Sequence, residues 1–175
     1  LALSFFWSWP SSKQGAYLKI WQKIMTSTSG KNIAVADSDA LIGLIFEEDP
    51  LHERCLKVSE YLNENRFEVL VPYSIVLEAA TVLTKDKTIK RPNLAKKLLE
   101  KYTNTEFREK FDLEILELVS EIYDPDTSKK NTPFDFYILA VAMKNGIKYV
   151  FSFDSFYKKH GLILTEELIN RFSKD

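Results

Sequence analysis

Four carboxylates in this sequence stand where carboxylates are costly. Asp37 follows the apolar run Ile33-Ala34-Val35-Ala36, and Asp154 follows a second apolar run that begins at Ile147. Glu78 is embedded in Ile75-Val76-Leu77-Glu78-Ala79-Ala80, and Asp135 opens the uncharged stretch 136–143. Most of the other acids, out of 25, lie in polar stretches. An ionised carboxylate in a dry interior is costly unless it is paired or binds a metal. Four of them converging without a cation would repel one another and force protonation of some. A hard divalent cation, Mg²⁺ or Mn²⁺, resolves the conflict, because it takes oxygen ligands, keeps waters and binds substrate phosphates. The matching chemistry is metal-assisted phosphodiester hydrolysis, with the ion activating a water and offsetting charge on the transferring phosphate.

Each acid also has a structural explanation, set by the element that carries it. Residues 33–36 are too few for a helix and read as a buried strand. Ser38 or Asp39 can cap a helix after it, and Leu41, Leu44 and Ile45 then recur at helical spacing. Asp37 thus lies where a strand hands over to a helix, the place where open parallel sheets bind ligands; the competing reading is a mere cap. The helix expected over 74–85 is apolar nearly all round, which implies burial. Its Glu78 either faces a site or reaches the rim to pair with a lysine. Thr132-Pro133-Phe134-Asp135 carries a helix-start signature, with Thr132 as cap and Asp135 as the acid of a capping box. That helix runs over 133–144 and stops at Asn145-Gly146. From the motif alone the structural role of Asp135 is favoured, although both roles can hold together. A buried strand over 147–153 ends at Asp154, repeating the arrangement at Asp37. The bland reading needs four separate explanations where a single site needs one.

Between these stretches the chain alternates helices and short strands. Pro50 is expected to open a helix with Leu51, Cys55, Val58 and Leu62 inward, and His52 off that stripe as a surface or packing residue. Residues 67–71 read as a strand, with Ser74 as the cap of the helix after Pro72. Residues 84–101 are basic, with Lys85, Lys87, Lys90, Arg91, Lys96, Lys97 and Lys101 against Asp86 and Glu100. Such a run is usually a solvated face; here it is also the candidate for phosphate contacts, with Lys96 and Lys97 foremost, and Lys158 and Lys159 beside Asp154. Residues 106–126 are expected to carry one amphipathic helix through Leu116, Val119, Ser120 and Tyr123, followed by a polar loop over 125–131. Residues 162–164 read as a last strand and 166–172 as a closing helix.

Composition bounds the partners. The 175 residues suffice for one domain and a tail, and the net charge of −1 announces no global affinity for nucleic acid. One cysteine, Cys55, excludes an internal disulfide, and two histidines far apart, His52 and His160, leave little for a histidine-based metal site. A reducing, cytoplasmic setting is the default. No apolar run approaches the roughly 18 residues that suggest a membrane span. Residues 1–30 differ from the rest and read as an N-terminal extension, with Met25 as a natural start and 31–175 as the domain. The competing expectation is an N-terminal helix docked on that domain.

The sequence resembles the PIN-domain nucleases, and among them the VapC-like toxins of toxin–antitoxin pairs. The resemblance covers about residues 32–172. It rests on four short motifs in the family's order: Ala-Asp-Ser-Asp-Ala-Leu-Ile (36–42), Pro-Tyr-Ser-Ile-Val-Leu-Glu (72–78), Phe-Asp-Phe-Tyr-Ile-Leu-Ala-Val-Ala (134–142) and Phe-Ser-Phe-Asp-Ser-Phe (151–156). The family's four acids match Asp37, Glu78, Asp135 and Asp154, and its hydroxyl position two residues before the last acid matches Ser152. Ser38 and Asp39 fall in the first motif; Asp39 departs from the family's usual Asn or Ser, and either adds a ligand or weakens substrate approach. The resemblance implies a three-layer α/β/α fold around a small, mostly parallel sheet. It also implies a Mg²⁺- or Mn²⁺-dependent endoribonuclease acting on RNA, often a homodimer, held inactive by an antitoxin protein whose tail covers the acidic pocket.

Two other classes compete. Asp37-Ser38-Asp39 after a strand also suits haloacid-dehalogenase-like phosphatases, but Ala40 stands where they want Thr or Gly, and Phe153-Asp154-Ser155 supplies only one acid of their later pair. Glu78 discriminates, mattering to a nuclease and not to the phosphatase. A catalytically silent RNA-binding module on the same fold is the third reading; the presence of all four acids and of Ser152 argues against it.

Overall fold

The computed structural model describes residues 32–103, 112–126 and 130–172. The expected extension over 1–30 lies outside the described residues. Among the described residues there are four strands, β1 (Ile33–Ala36), β2 (Glu68–Leu70), β3 (Tyr149–Phe151) and β4 (Ile163–Leu164). Eight helices join them: α1 (Ser38–Ile45), α2 (His52–Glu64), α3 (Tyr73–Lys85), α4 (Pro92–Thr103), α5 (Leu113–Ile122), α6 (Pro133–Asn145), α7 (Ser155–Lys159) and α8 (Glu166–Phe172). The sheet runs β2-β1-β3-β4 and every pairing is parallel. Parallel strands require crossovers, and helices supply them on both faces.

The alternation of side chains along β3 shows the two layers. Val150 faces the main core with Val35, α3, α6 and α7, whereas Phe151 faces Cys55, Val58 and Leu62 of α2. The expected burial of α6 is found: Phe136 and every residue from Ile138 to Met143 are buried. Lys144 at its end bonds Asp112 and Glu114 at the start of α5, which fixes α6 beside it.

Several element boundaries differ from expectation, each for a local reason. Pro50 does not open α2, because the Asp49 carboxylate accepts the Leu51 N–H at 2.7 Å in a turn that precedes the helix. Pro72, not Ser74, stands at the N-cap of α3. The strand expected over 147–153 pairs only at Tyr149–Phe151, since Phe153 N–H turns to a side chain instead of a neighbouring strand. On α5 the inward residues are Ile115 and Ile122, while Leu116 and Ser120 face solvent. The helix α3 is not buried all round, and Leu77 is exposed. Among the described residues no helix is long and apolar enough to cross a membrane.

The helices α1 and α2 approach closely because Gly43 has no side chain. A Cβ there would lie 2.3 Å from Cys55 Sγ and 3.4 Å from Cys55 Cβ. His52 Nδ1 sits 2.7 Å from the Gly43 carbonyl oxygen, and since a carbonyl only accepts, that nitrogen donates and the imidazole serves packing. Gly43→Ala is expected to destabilise by about 1–3 kcal/mol through overpacking, against about 1 kcal/mol of helix propensity gained. Urea denaturation checks this; adding Cys55→Ala should recover the loss, and equal midpoints for wild type and Gly43→Ala would refute the contact.

Candidate acidic active site

The acids expected from sequence arrive from separate elements at the carboxyl edge of the sheet. Asp37 is the residue after β1 and is itself the N-cap of α1, its Oδ1 accepting from Ser38 N–H at 2.6 Å. Its own N–H bonds the Phe151 carbonyl at 3.1 Å, which ties the exit of β1 to the exit of β3. Asp135 lies in the first turn of α6 and closes the capping box with Thr132 N–H, so the structural role holds. Its other oxygen, Oδ1, accepts from the Tyr157 hydroxyl at 3.3 Å. Asp154 stands three residues beyond β3, exposed, as the N-cap of α7 through Phe156 N–H at 2.8 Å. Glu78 on α3 is half-buried and reaches the rim, with the Ser38 side chain in hydrogen-bonding range. Three of the four acids therefore sit at helix N-termini, where the partial positive charge of the helix end favours an anion.

The electrostatics couple these groups to one another. Burial, then the charge of Asp135, pushes Asp37 up to about 6 despite its hydrogen bonds. Burial, then the charges of Asp37 and Asp135, pushes Glu78 up to about 7. Asp135 is raised by burial and by Asp154. Asp37, Glu78 and Asp135 thus resist ionising, first because they are buried and then because other acids are near.

Asp39 is a fifth acid in this cluster. Its Oδ2 accepts the Phe153 N–H at 2.8 Å and lies 3.0 Å from Ser152 Oγ. Ser152 Oγ is also 3.0 Å from Asp37 Oδ2 and accepts the Asp154 N–H at 3.1 Å. A hydroxyl has one proton, so Ser152 donates to one carboxylate and must accept from the other. Burial and the Asp37 charge push Asp39 up to about 8, further than Asp37, so Asp39 is the acid better suited to carry a proton toward Ser152. The chain Asp39 to Ser152 to Asp37 then has a donor for every acceptor. Asp39 also fixes the segment that carries Asp154. Removing the buried Ser152 hydroxyl leaves these groups unpaired, so Ser152→Ala is expected to cost about 1–3 kcal/mol. An unchanged urea midpoint would show that the hydroxyl satisfies neither acid.

The donor set fits a hard divalent ion. All the candidate ligands are oxygens, their mutual repulsion is uncompensated, and Asp39 Oδ1 is buried without a hydrogen-bond partner. Among the described residues, no three His, Cys, Asp or Glu side chains are drawn into a ready-made coordination cluster. Mg²⁺ needs only one or two carboxylates, because it keeps several waters.

The basic residues divide. Lys158 is paired with Glu167 at 2.8 Å, which ties α7 to α8, while Lys159 is exposed. Lys96 and Lys97 are exposed on α4, one helix removed from Glu78, and Lys96 lies 3.7 Å from Glu100. Tyr157 was not singled out from sequence, because its ring reads simply as part of an apolar run. Its only signal is a hydroxyl three positions after Asp154.

A family model described as the PIN domain matches residues 34–161. No curated protein matches the chain closely enough to count as a relative. Among solved structures, Mycobacterium tuberculosis VapC20, a Sarcin-Ricin loop cleaving toxin, superposes with a TM-score of 0.61 at 15% identity, covering 75% of this chain and 96% of that one. At that identity the likeness concerns the fold.

Proposed function

This chain belongs to the PIN domain family, and from that premise we propose that it is a divalent-metal-dependent endoribonuclease. The observation that carries this reading is the meeting of Asp37 from the exit of β1, Asp135 from the first turn of α6 and Glu78 from α3, close enough that Asp135 raises the proton affinity of Asp37 and both raise that of Glu78. Asp37, Asp135, Asp154 and Glu78 would hold Mg²⁺ or Mn²⁺. When bound, the ion lowers the pKa of a water and offsets charge on the transferring phosphate. Glu78 enters from α3 and completes that set of carboxylate oxygens. Ser152 and Asp39 hold Asp37 and the Asp154 segment in place. Lys159, Lys158, Lys96 and Lys97 are the candidates for RNA phosphate contacts. Membership in this family replaces the phosphatase alternative.

The biological setting extends the same reading. The protein is the toxin of a VapBC-type pair, with a cognate antitoxin and a homodimer as its protein contacts. Two features support it: the fold shared with VapC20, and the exposed Tyr73 and Leu77 one turn apart on α3, apolar area that a protein partner would cover. The test is Mn²⁺-dependent cleavage of total cellular RNA, with cut sites mapped by sequencing. Discrete cuts that vanish with chelator establish the nuclease. Absence of both cuts and Mn²⁺ binding would refute it in favour of an RNA-binding module.

A further inference from the structure

We propose that the Tyr157 hydroxyl is a positioning group for the ion-binding carboxylates, holding Asp135 and Asp37 so that both face one ion. The inference rests on the metal-dependent reading above. Tyr157 is fully buried on α7, with its ring against Phe156 at 5.2 Å. For the core alone a phenylalanine would serve, because a buried hydroxyl is a cost unless it finds a partner. Here it reaches two partners from different elements. It lies 3.3 Å from Asp135 Oδ1 in the first turn of α6, and it also hydrogen-bonds the Asp37 side chain at the exit of β1.

The geometry of Asp135 makes this contact informative. Its Oδ2 is occupied by Thr132 N–H in the capping box, so the rotation of the carboxylate is set at one oxygen by α6 itself. The Tyr157 hydroxyl sets the other. A carboxylate oxygen has two lone pairs, so Oδ1 can accept this bond and still face an ion. Burial and the charges of Asp37 and Asp135 keep the phenol neutral, so its one proton is held between the two carboxylates and donated to one of them at a time. Donors that orient metal-binding side chains are typically worth about 10–100-fold in metal affinity.

The test is Tyr157→Phe in the full chain, which keeps the ring and removes only the hydroxyl. Mn²⁺ alone is titrated calorimetrically into wild type and variant, and both are melted in chelator. The expected result is a Mn²⁺ Kd weakened about 10–100-fold, a modest fall of the melting temperature in chelator from the lost hydrogen bond, and RNA cleavage that recovers at high Mn²⁺ with KM for RNA unchanged. A variant that binds Mn²⁺ as wild type does overturns the inference. So does a weaker Kd in a variant whose cleavage is not restored at saturating Mn²⁺, which would mean that losing the hydroxyl deforms the site through the core. Wild type that binds no Mn²⁺ overturns the metal reading itself, so the two failures are distinguishable.

Discussion

Asp37→Asn is expected to lower RNA cleavage by roughly a thousandfold or more, as loss of an ion-binding carboxylate should, while making the metal-free protein more stable. The two effects have one cause. Asp37 is 6% exposed and sits among other carboxylates, so ionising it costs free energy, seen as a proton affinity pushed from 3.8 to about 6. Holding it charged at pH 8 therefore costs on the order of 3 kcal/mol. Asparagine removes that charge at almost no structural cost. Its carbonyl oxygen can accept the Ser38 N–H, since Asn caps helices as well as Asp does, and its amide can donate to Ser152. Melting should rise by several degrees, at about 2–4 °C for each kcal/mol gained. The pairing of lost activity with gained stability separates a functional acid from a structural one. If Asp37 were only a cap, the variant would keep its activity even though it gained stability. Fully active Asp37→Asn would remove Asp37, and with it the shared site, from the mechanism.

The acids were legible in the sequence because each sits at an element boundary or inside an apolar run, where composition and periodicity speak. Asp37 and Asp135 are the clearest. Strand-to-helix and Thr-Pro-x-Asp patterns fix their backbone positions, and the fold then brings them together. What sequence does not carry is contact across distance. The bond from Phe153 N–H to Asp39 joins residues 114 positions apart, and no local pattern announces it, so sequence leaves Asp39 open between ligand and obstruction. The same bond shortens the strand expected over 147–153, since an apolar run does not say where a ladder ends. Tyr157 was hidden for another reason. Hydrophobic periodicity registers its ring and is blind to its hydroxyl. The sequence sets Lys158 four residues after Asp154, but its pairing with Glu167 depends on where α8 docks.

The stability of the protein in chelator should fall as pH rises from about 4 to about 8, the interval between unfolded and folded carboxylate affinities. The sign follows from proton counting. Asp37, Glu78 and Asp39 titrate in the fold at about 6, about 7 and about 8, whereas in the unfolded chain they titrate near 4. Below both values each group is protonated in either state, and the full stability is present. Between them the folded state binds more protons than the unfolded, so unfolding becomes easier with each step upward in pH. Above about 8 the loss is complete and the curve flattens. A divalent ion reverses this, because it binds the ionised carboxylates of the folded state and competes with their protons. The stabilisation by Mn²⁺ should therefore be small at pH 5 and largest near pH 8, where melting in chelator is expected to lie about 5 °C or more below that at pH 5. Other groups in the chain also titrate, and Asp37→Asn isolates the site: its curve in chelator should be flatter than that of wild type. Equal melting at pH 5 and pH 8 in chelator, or a Mn²⁺ shift of the same size at both, would mean that these carboxylates do not share one unneutralised pocket. A divalent ion would then have no uncompensated charge to bind, whatever the fold.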